Sequence, residues 1–193
     1  MRWIVAYYSR DVEEFVRALP DGLLARYLRL TDMIVEFGPN LGMPHTRSMG
    51  DGLFELRIKG KEGIARVFFC AVIAQRVVML HGFIKKSQKT PPRELQGPEV
   101  MKHSAIKKSA LKKPRVREEY EALGPEFELL RQLLSARSKA GLSQADVAQR
   151  MGTHAPAITR LESALSTGKH SPSIDTLKRY ARAVGCELQI RFV

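Results

Sequence analysis

The segment LSQADVAQRMGTHAPAITRLE, residues 142–162, constrains the fold of this chain more than any other part of it. Ser143 can cap the start of a first helix, on which Val147 and Ala148 share an apolar face. Ala148 is small enough for a second helix to cross closely. Gly152 permits the left-handed backbone that a sharp turn between two helices requires. The spacing therefore predicts a helix-turn-helix.

The second helix of this motif would be held in place by Ile158 and Leu161, and short or polar side chains would point outward. A recognition helix presents its first turns to base edges, while the preceding helix approaches a phosphate. Short side chains suit thymine methyl groups, and arginine suits guanine or phosphate. A helical hairpin in some other all-helical domain is the alternative. The expected DNA-contacting residues are Gln144, Thr153, His154, Ala155, Pro156, Ala157, Thr159 and Arg160.

This motif resembles the Xre family of phage-repressor-like regulators. The flanking sequences resemble HigA-type antitoxins; they read REEYEALGPEFELLRQLLSARSKAG before the motif and GKHSPSIDTLKRYARAVGCELQIRFV after it. The resemblance extends from about Lys113 to the end of the chain. It implies a homodimer on an inverted-repeat operator, because one such domain usually reads only a half-site.

The charge balance favours a polyanionic partner. The chain has 32 Lys and Arg against 20 Asp and Glu, a formal net charge of +12. Nucleic acid is the foremost candidate, although such an excess can also simply keep a small protein soluble. Without a long apolar span we expect no membrane association, and the early acidic residues argue against a secretion signal. Two distant cysteines do not predict a metal site. We expect a cytoplasmic protein without metal or cofactor.

The pattern changes near residues 97–117, where apolar periodicity stops. Seven Lys or Arg and no acidic residue occur between positions 102 and 117. We predict a basic linker over 97–117, joining a domain of residues 1–96 to a domain of residues 118–193. Overall, the predicted fold class is α+β, with an all-α second domain that ends in a strand.

The first domain is predicted to contain a strand, two amphipathic helices and then an antiparallel sheet. If residues 60–63 form a four-residue hairpin loop, Arg57 lies directly opposite Arg66. Like charges in that position destabilise a sheet, so the pair would be explained by an anion held between two guanidinium groups. A register shifted by one residue would separate the two arginines.

More cations follow at the end of the last predicted strand. His81 and Lys85 share a face of that strand because side chains alternate along it. Lys86 and Lys89 come next, in the run FIKKSQKTP. The alternatives are that His81 is a packed strand residue and that the lysines form only a solvated run.

The sequences LFELRIKGKEGIARVFFCAV and VVMLHGFIKKSQKTPPREL resemble the phage-derived Gp49-like branch of HigB toxins in the RelE superfamily. The resemblance covers roughly residues 1–96 and implies a RelE-like fold. It also implies a metal-independent endoribonuclease that cuts mRNA on the translating ribosome. The matching positions imply that Arg57 and Arg66 stabilise phosphate charge, that His81 or a lysine such as Lys85 transfers a proton, and that RNA is positioned by Lys85, Lys86 and Lys89.

Toxins of that branch resemble chains that continue with a further helix after the KKSQKTP run, whereas here PPREL is followed at once by QGPEVM, so we expect that helix to be missing. Its absence would leave an apolar groove that another element must cover. One candidate cover is the helix carrying Val116, Tyr120 and Leu123. The other is the terminal strand, in which Leu188, Ile190 and Phe192 alternate with polar residues. Either element could instead build an antitoxin dimer.

The two halves together suggest a toxin-like and an antitoxin-like module in one polypeptide. A tether of this length gives an effective concentration on the order of millimolar, so the antitoxin module should keep the nuclease inhibited. Inhibition could occur within one chain or by exchange of domains in a homodimer. The alternatives are a DNA-binding repressor with a catalytically inactive toxin-like sensor or dimerisation domain, and an artificial or frameshifted fusion.

Overall fold

The computed structural model describes residues 2–72, 75–84, 103–167 and 171–190. The chain divides into two compact units, an N-terminal unit, Met1–Leu123, and a C-terminal unit, Gly124–Val193. The N-terminal unit is α+β and the C-terminal unit is helical, which confirms the predicted fold class. In the described residues, no helix has the length and apolar character needed to cross a membrane.

The N-terminal unit is built on one five-stranded sheet with the strand order β1-β5-β4-β3-β2. Strands β3 to β5 pair antiparallel as predicted. Strand β2, which was not predicted, pairs antiparallel with β3, and β1 pairs parallel with β5, so the sheet is mixed. Parallel pairing is possible because the long connection between β1 and the other strands lets the chain return in the same direction. Its elements are β1 (Ile4–Tyr7), α1 (Arg10–Arg17), α2 (Asp21–Phe37), β2 (Thr46–Gly50), β3 (Leu53–Gly60), β4 (Gly63–Val72), β5 (Arg76–Ile84), α3 (His103–Ala110) and α4 (Pro114–Ala122).

Helices α1 and α2 pack on one face of this sheet. Alternate residues of the strands point toward them and are fully buried, since side chains along a strand alternate between its faces. On β5, the Phe15 ring of α1 lies so close to Gly82 that an added Cβ would meet it at 2.2 Å. The core includes Leu23, Tyr27, Leu28, Ile34, Leu56, Ile58, Val67, Phe69 and Met79.

From residue 103 onward, the segment predicted as a basic linker is largely helical, and it belongs to the N-terminal unit. Its helix α3 buries Ile106 completely and His103 almost completely. The His103 ring is within hydrogen-bond distance of two hydroxyls, 3.0 Å from Tyr7 Oη and 3.1 Å from Thr31 Oγ1. Burial lowers the pKa of His103 to about 4, so the ring is neutral. The prediction of a linker over this helix was wrong because the apolar face of α3 is short and is surrounded by lysines.

Helix α4 packs against α2 and completes this attachment. Arg29 donates to the Tyr120 carbonyl oxygen at 2.6 and 3.0 Å, and its guanidinium lies 3.7 Å from the centre of the Tyr120 ring. Lys107 forms an ion pair with Asp32 at 2.6 Å and donates to Tyr120 Oη at 2.9 Å. Val116 is fully buried. Of the two candidate covers for the toxin-like domain, the helix carrying Val116 and Tyr120 therefore packs on it.

The C-terminal unit contains α5 (Gly124–Lys139), α6 (Gln144–Arg150), α7 (Ala155–Thr167) and α8 (Ile174–Ala183). The predicted terminal strand does not form over residues 186–190, and Phe192 lies outside the described residues. A strand needs a neighbouring strand to pair with, and no strand among the described residues pairs with this segment. Helices α5 to α8 share a core of Leu130, Leu134, Val147, Ile158, Leu165 and Tyr180.

Candidate functional site

The first candidate site lies on the sheet face opposite to α1 and α2. Glycines 60 and 63 close the β3–β4 hairpin, and Arg57 pairs directly with Arg66 across it. This confirms the predicted register. The neighbouring residues Leu56 and Ile58 point to the helices, so the arginines point away from them. Helices α3 and α4 attach to α1, α2 and β1, which places them on the helix side of the sheet as well.

A carboxylate that the sequence analysis did not single out lies between these two arginines. Glu55 Oε1 is 2.6 Å from Arg66 Nη1, and Glu55 Oε2 is 3.8 Å from Arg57 Nε. The repulsion between the guanidinium groups is therefore offset within the protein, and an external anion is not required to explain it. Burial, followed by the charge of Arg66, lowers the pKa of Arg57. The sequence did contain a signal for this contact, because residues two apart on a strand lie on the same face of the sheet, which places Glu55 beside Arg57.

His81 lies on the same face as the arginines. It pairs with Phe68 across β4 and β5, while Phe83 pairs with Arg66. The side chain of His81 is exposed, which excludes the alternative that it is a packed core residue. We call this surface the arginine face; it comprises Arg47, Glu55, Arg57, Arg66, Phe68, His81 and Phe83.

The structure thus brings together three of the residues predicted for the first site, Arg57, Arg66 and His81. The remaining predicted members, Lys85, Lys86 and Lys89, lie outside the described residues.

The second candidate site is the helix-turn-helix formed by α6 and α7. Ser143 caps α6 as predicted, since its Oγ accepts from the Asp146 amide at 3.2 Å, while the Asp146 carboxylate accepts from the Ser143 amide at 2.8 Å. Gly152 has a φ of 64°, the left-handed conformation expected at the turn. Helix α7 follows directly from Ala155.

The residues predicted to contact DNA fall on the accessible side of this motif. His154, Pro156 and Arg160 are exposed. The other predicted contacts are partly exposed; they are Gln144, Thr153, Ala155, Ala157 and Thr159. Ile158, in contrast, is buried against the unit core, as predicted.

A buried carboxylate connects these helices, and the sequence analysis missed it. Glu162 is fully buried; its Oε2 accepts from Gln144 Nε2 at 2.6 Å, and its Oε1 is 3.6 Å from Arg137 Nε. Burial raises the pKa of Glu162 to about 7, although Arg137 and Gln144 act in the opposite direction. Thr159 Oγ1 lies 3.4 Å from Gln144 Oε1. Glu162 therefore holds the side chain that the motif would present to a DNA phosphate.

Helices α6 and α8 are joined by two arginines that cap each other's helix. Arg150 of α6 donates to the Ala183 carbonyl at 3.0 Å, and Arg179 of α8 donates to the Met151 carbonyl at 2.6 Å. Cations at helix C-termini are favoured because the last carbonyls lack partners within the helix. These arginines thus have a structural explanation that does not involve DNA.

Comparison with known families assigns each half separately. Residues 14–99 match the family model described as phage derived protein Gp49-like. Residues 133–190 match the model described as helix-turn-helix. No curated protein matches the chain. The chain thus combines a Gp49-like domain with a helix-turn-helix DNA-binding domain, and this combination fits a toxin–antitoxin regulator.

Proposed function

We propose that this chain is a type II toxin–antitoxin protein in a single polypeptide. Its N-terminal unit would be a HigB-type endoribonuclease of the RelE superfamily that cleaves mRNA on the ribosome. Its C-terminal unit would be a HigA-type antitoxin of the Xre family that represses its own operator. The observation that carries the proposal is the convergence of Arg57, Arg66 and His81 on one sheet face of a Gp49-like domain.

The arginine face carries the groups that RNA cleavage without a metal requires. A ribose 2′-oxygen attacks the adjacent phosphorus, the bond from phosphorus to the 5′-oxygen breaks, and a 2′,3′-cyclic phosphate and a 5′-hydroxyl result. Arg57 and Arg66 would stabilise the negative charge that grows on the phosphate oxygens. Exposed His81 would accept the proton of the 2′-hydroxyl and donate it to the leaving 5′-oxygen, and the Glu55 carboxylate is a second candidate to accept the proton of the 2′-hydroxyl.

Inhibition of this nuclease would depend on the C-terminal unit. Helices α3 and α4 attach to the helix side of the sheet and not to the arginine face. They would complete the toxin-like domain, so inhibition would come from residues after Leu123, in the same chain or through domain exchange in a homodimer. Such a homodimer would also present two recognition helices to an inverted-repeat operator.

A translation reaction tests the nuclease half of the proposal. We would add the complete chain, a fragment of residues 1–123 and its Arg66→Ala variant, and map new mRNA 5′ ends. The fragment should cleave, the complete chain should not, and Arg66→Ala should lower the rate by about 100- to 1000-fold. Arg10→Ala, an exposed arginine on α1, is the control for loss of one positive charge and should leave cleavage unchanged.

Binding to DNA is tested by gel shift with the complete chain and the DNA upstream of its gene. Arg160→Ala should weaken binding, and the shifted species should contain two chains. If operator binding is intact but the 1–123 fragment is inert, the alternative function stands, a repressor with an inactive toxin-like domain. The observation that favours this alternative is the ion pair of Arg66 with Glu55, which already engages one guanidinium.

A further inference from the structure

The arginine face carries aromatic rings next to its charged groups. Two rows cross the sheet. One row consists of cross-strand partners from β2 to β5, namely Arg47, Glu55, Phe68 and His81. The next row consists of cross-strand partners from β3 to β5, namely Arg57, Arg66 and Phe83. Residues two apart on a strand are separated by roughly 7 Å. Rings and guanidinium groups are therefore immediate neighbours.

The rings themselves form a continuous group. The centres of the Phe68 and Phe83 rings are 6.2 Å apart, and the Phe83 and His81 rings are 6.3 Å apart. Both pairs are tilted by only 32°. Phe68 and Phe83 are partly exposed on the sheet face opposite to the helices, although their apolar rings would bury more area in the core.

We propose that Phe68 and Phe83 form a stacking site for an unpaired RNA base, beside the arginines that bind the adjoining phosphate. This inference rests on the proposed function, because the bound polymer is the substrate of that same face. Aromatic rings on a sheet surface stack with the exposed faces of single-stranded bases, and flanking cations hold the backbone. A paired base in an RNA duplex has its faces covered by its neighbours, so the site would select single strands.

The chemistry of the site predicts affinity without a strict sequence preference. Stacking uses the π surface that all four bases possess, whereas reading of a base requires hydrogen bonds to its edges. The carboxylate of Glu55 is engaged by Arg66, and the rings of Phe68 and Phe83 have no polar atoms. The stacking site would therefore position the strand, and the arginines and His81 would act on the phosphate.

Fluorescence anisotropy tests this site on the complete chain and on the 1–123 fragment, which keeps the whole N-terminal unit but lacks the C-terminal unit proposed to inhibit this face. The probe is a short, single-stranded 2′-O-methyl oligoribonucleotide, which cannot be cleaved because it lacks the nucleophilic hydroxyl. Excess unlabelled duplex DNA occupies the helix-turn-helix. Phe68→Leu and Phe83→Leu should each weaken binding about tenfold. Phe54→Leu is the matched control, because the Phe54 ring stacks on the Phe69 ring on the opposite face of the sheet, with ring centres 5.4 Å apart. This substitution should leave binding unchanged.

Two further measurements keep the test independent of folding. Phe83→Trp retains a stacking surface and should bind as the unaltered chain does, and an abasic version of the probe should bind the unaltered chain about tenfold more weakly. The inference is overturned if Phe83→Leu behaves like Phe54→Leu, if the abasic probe binds equally well, or if duplex RNA binds as tightly as the single strand. Phenylalanine-dependent binding without any mRNA cleavage would uphold the stacking site and refute the nuclease. Cleavage of mRNA that is unchanged in Phe68→Leu and Phe83→Leu would uphold the nuclease and refute the stacking site.

Discussion

Replacement of Ile106 by alanine tests whether α3 belongs to the core of the N-terminal unit. Ile106 is fully buried, and the substitution removes three carbon atoms. At about 0.8 kcal/mol for each buried carbon, the loss of burial costs about 2.4 kcal/mol. The cavity adds to this cost, so we expect the free energy of unfolding of this unit to fall by about 3 kcal/mol.

The single tryptophan of the chain makes the measurement specific. Trp3 lies in the N-terminal unit, against Gly38, so its fluorescence during urea denaturation reports the unfolding of that unit alone. Ser104→Ala, at an exposed position of α3, should change stability by less than about 0.5 kcal/mol. Ile106→Val should cost about 1 kcal/mol if the alanine variant does not fold. A change below about 0.5 kcal/mol for Ile106→Ala would refute the assignment of α3 to this core.

Three further predictions concern pH and capping. Because the pKa of His103 is lowered to about 4 in the folded state, the unfolded chain binds more protons than the folded chain between about pH 4 and about pH 6.5. The N-terminal unit should therefore lose stability as pH falls through this window, as measured by Trp3 fluorescence. Because the pKa of Glu162 is raised to about 7, the folded C-terminal unit binds more protons than the unfolded chain above about pH 4.3. The stability of this unit, followed by circular dichroism, should therefore fall as pH rises toward about 7. Glu162→Gln should abolish this pH dependence, and a dependence that persists in the variant would contradict its assignment to Glu162. Ser143→Ala removes the cap of α6 and should lower the free energy of unfolding of the C-terminal unit by about 1 kcal/mol, whereas an unchanged free energy would show that the cap is dispensable.

The sequence was sufficient for features that depend on local spacing. The hairpin between β3 and β4 follows from a short glycine-bounded turn, and that turn alone determines that Arg57 faces Arg66. The cap at Ser143 and the left-handed Gly152 are local in the same way. These features do not depend on the rest of the chain, so they could be predicted correctly.

Features that depend on contacts between distant residues could not be read in this way. His103 is buried only because Tyr7 and Thr31 bring hydroxyls to its two ring nitrogens. A lysine-rich stretch around it indicated a linker. Similarly, a carboxylate at Glu162 is typical of an exposed helix position, and its burial depends on Gln144 and Arg137 from two other helices. The parallel pairing of β1 with β5 is also a long-range contact.

Growth of cells that produce defined parts of this chain tests the central claim most directly. Three strains would be compared, producing the complete chain, residues 1–123, and residues 1–123 with Arg66→Ala. We expect arrest and mRNA cleavage only with the unaltered fragment, since it keeps α3 and α4 but lacks the C-terminal unit. Normal growth with abundant, folded 1–123 fragment, or equal arrest with its Arg66→Ala variant, would contradict the proposal that the arginine face is a nuclease site restrained by the C-terminal unit.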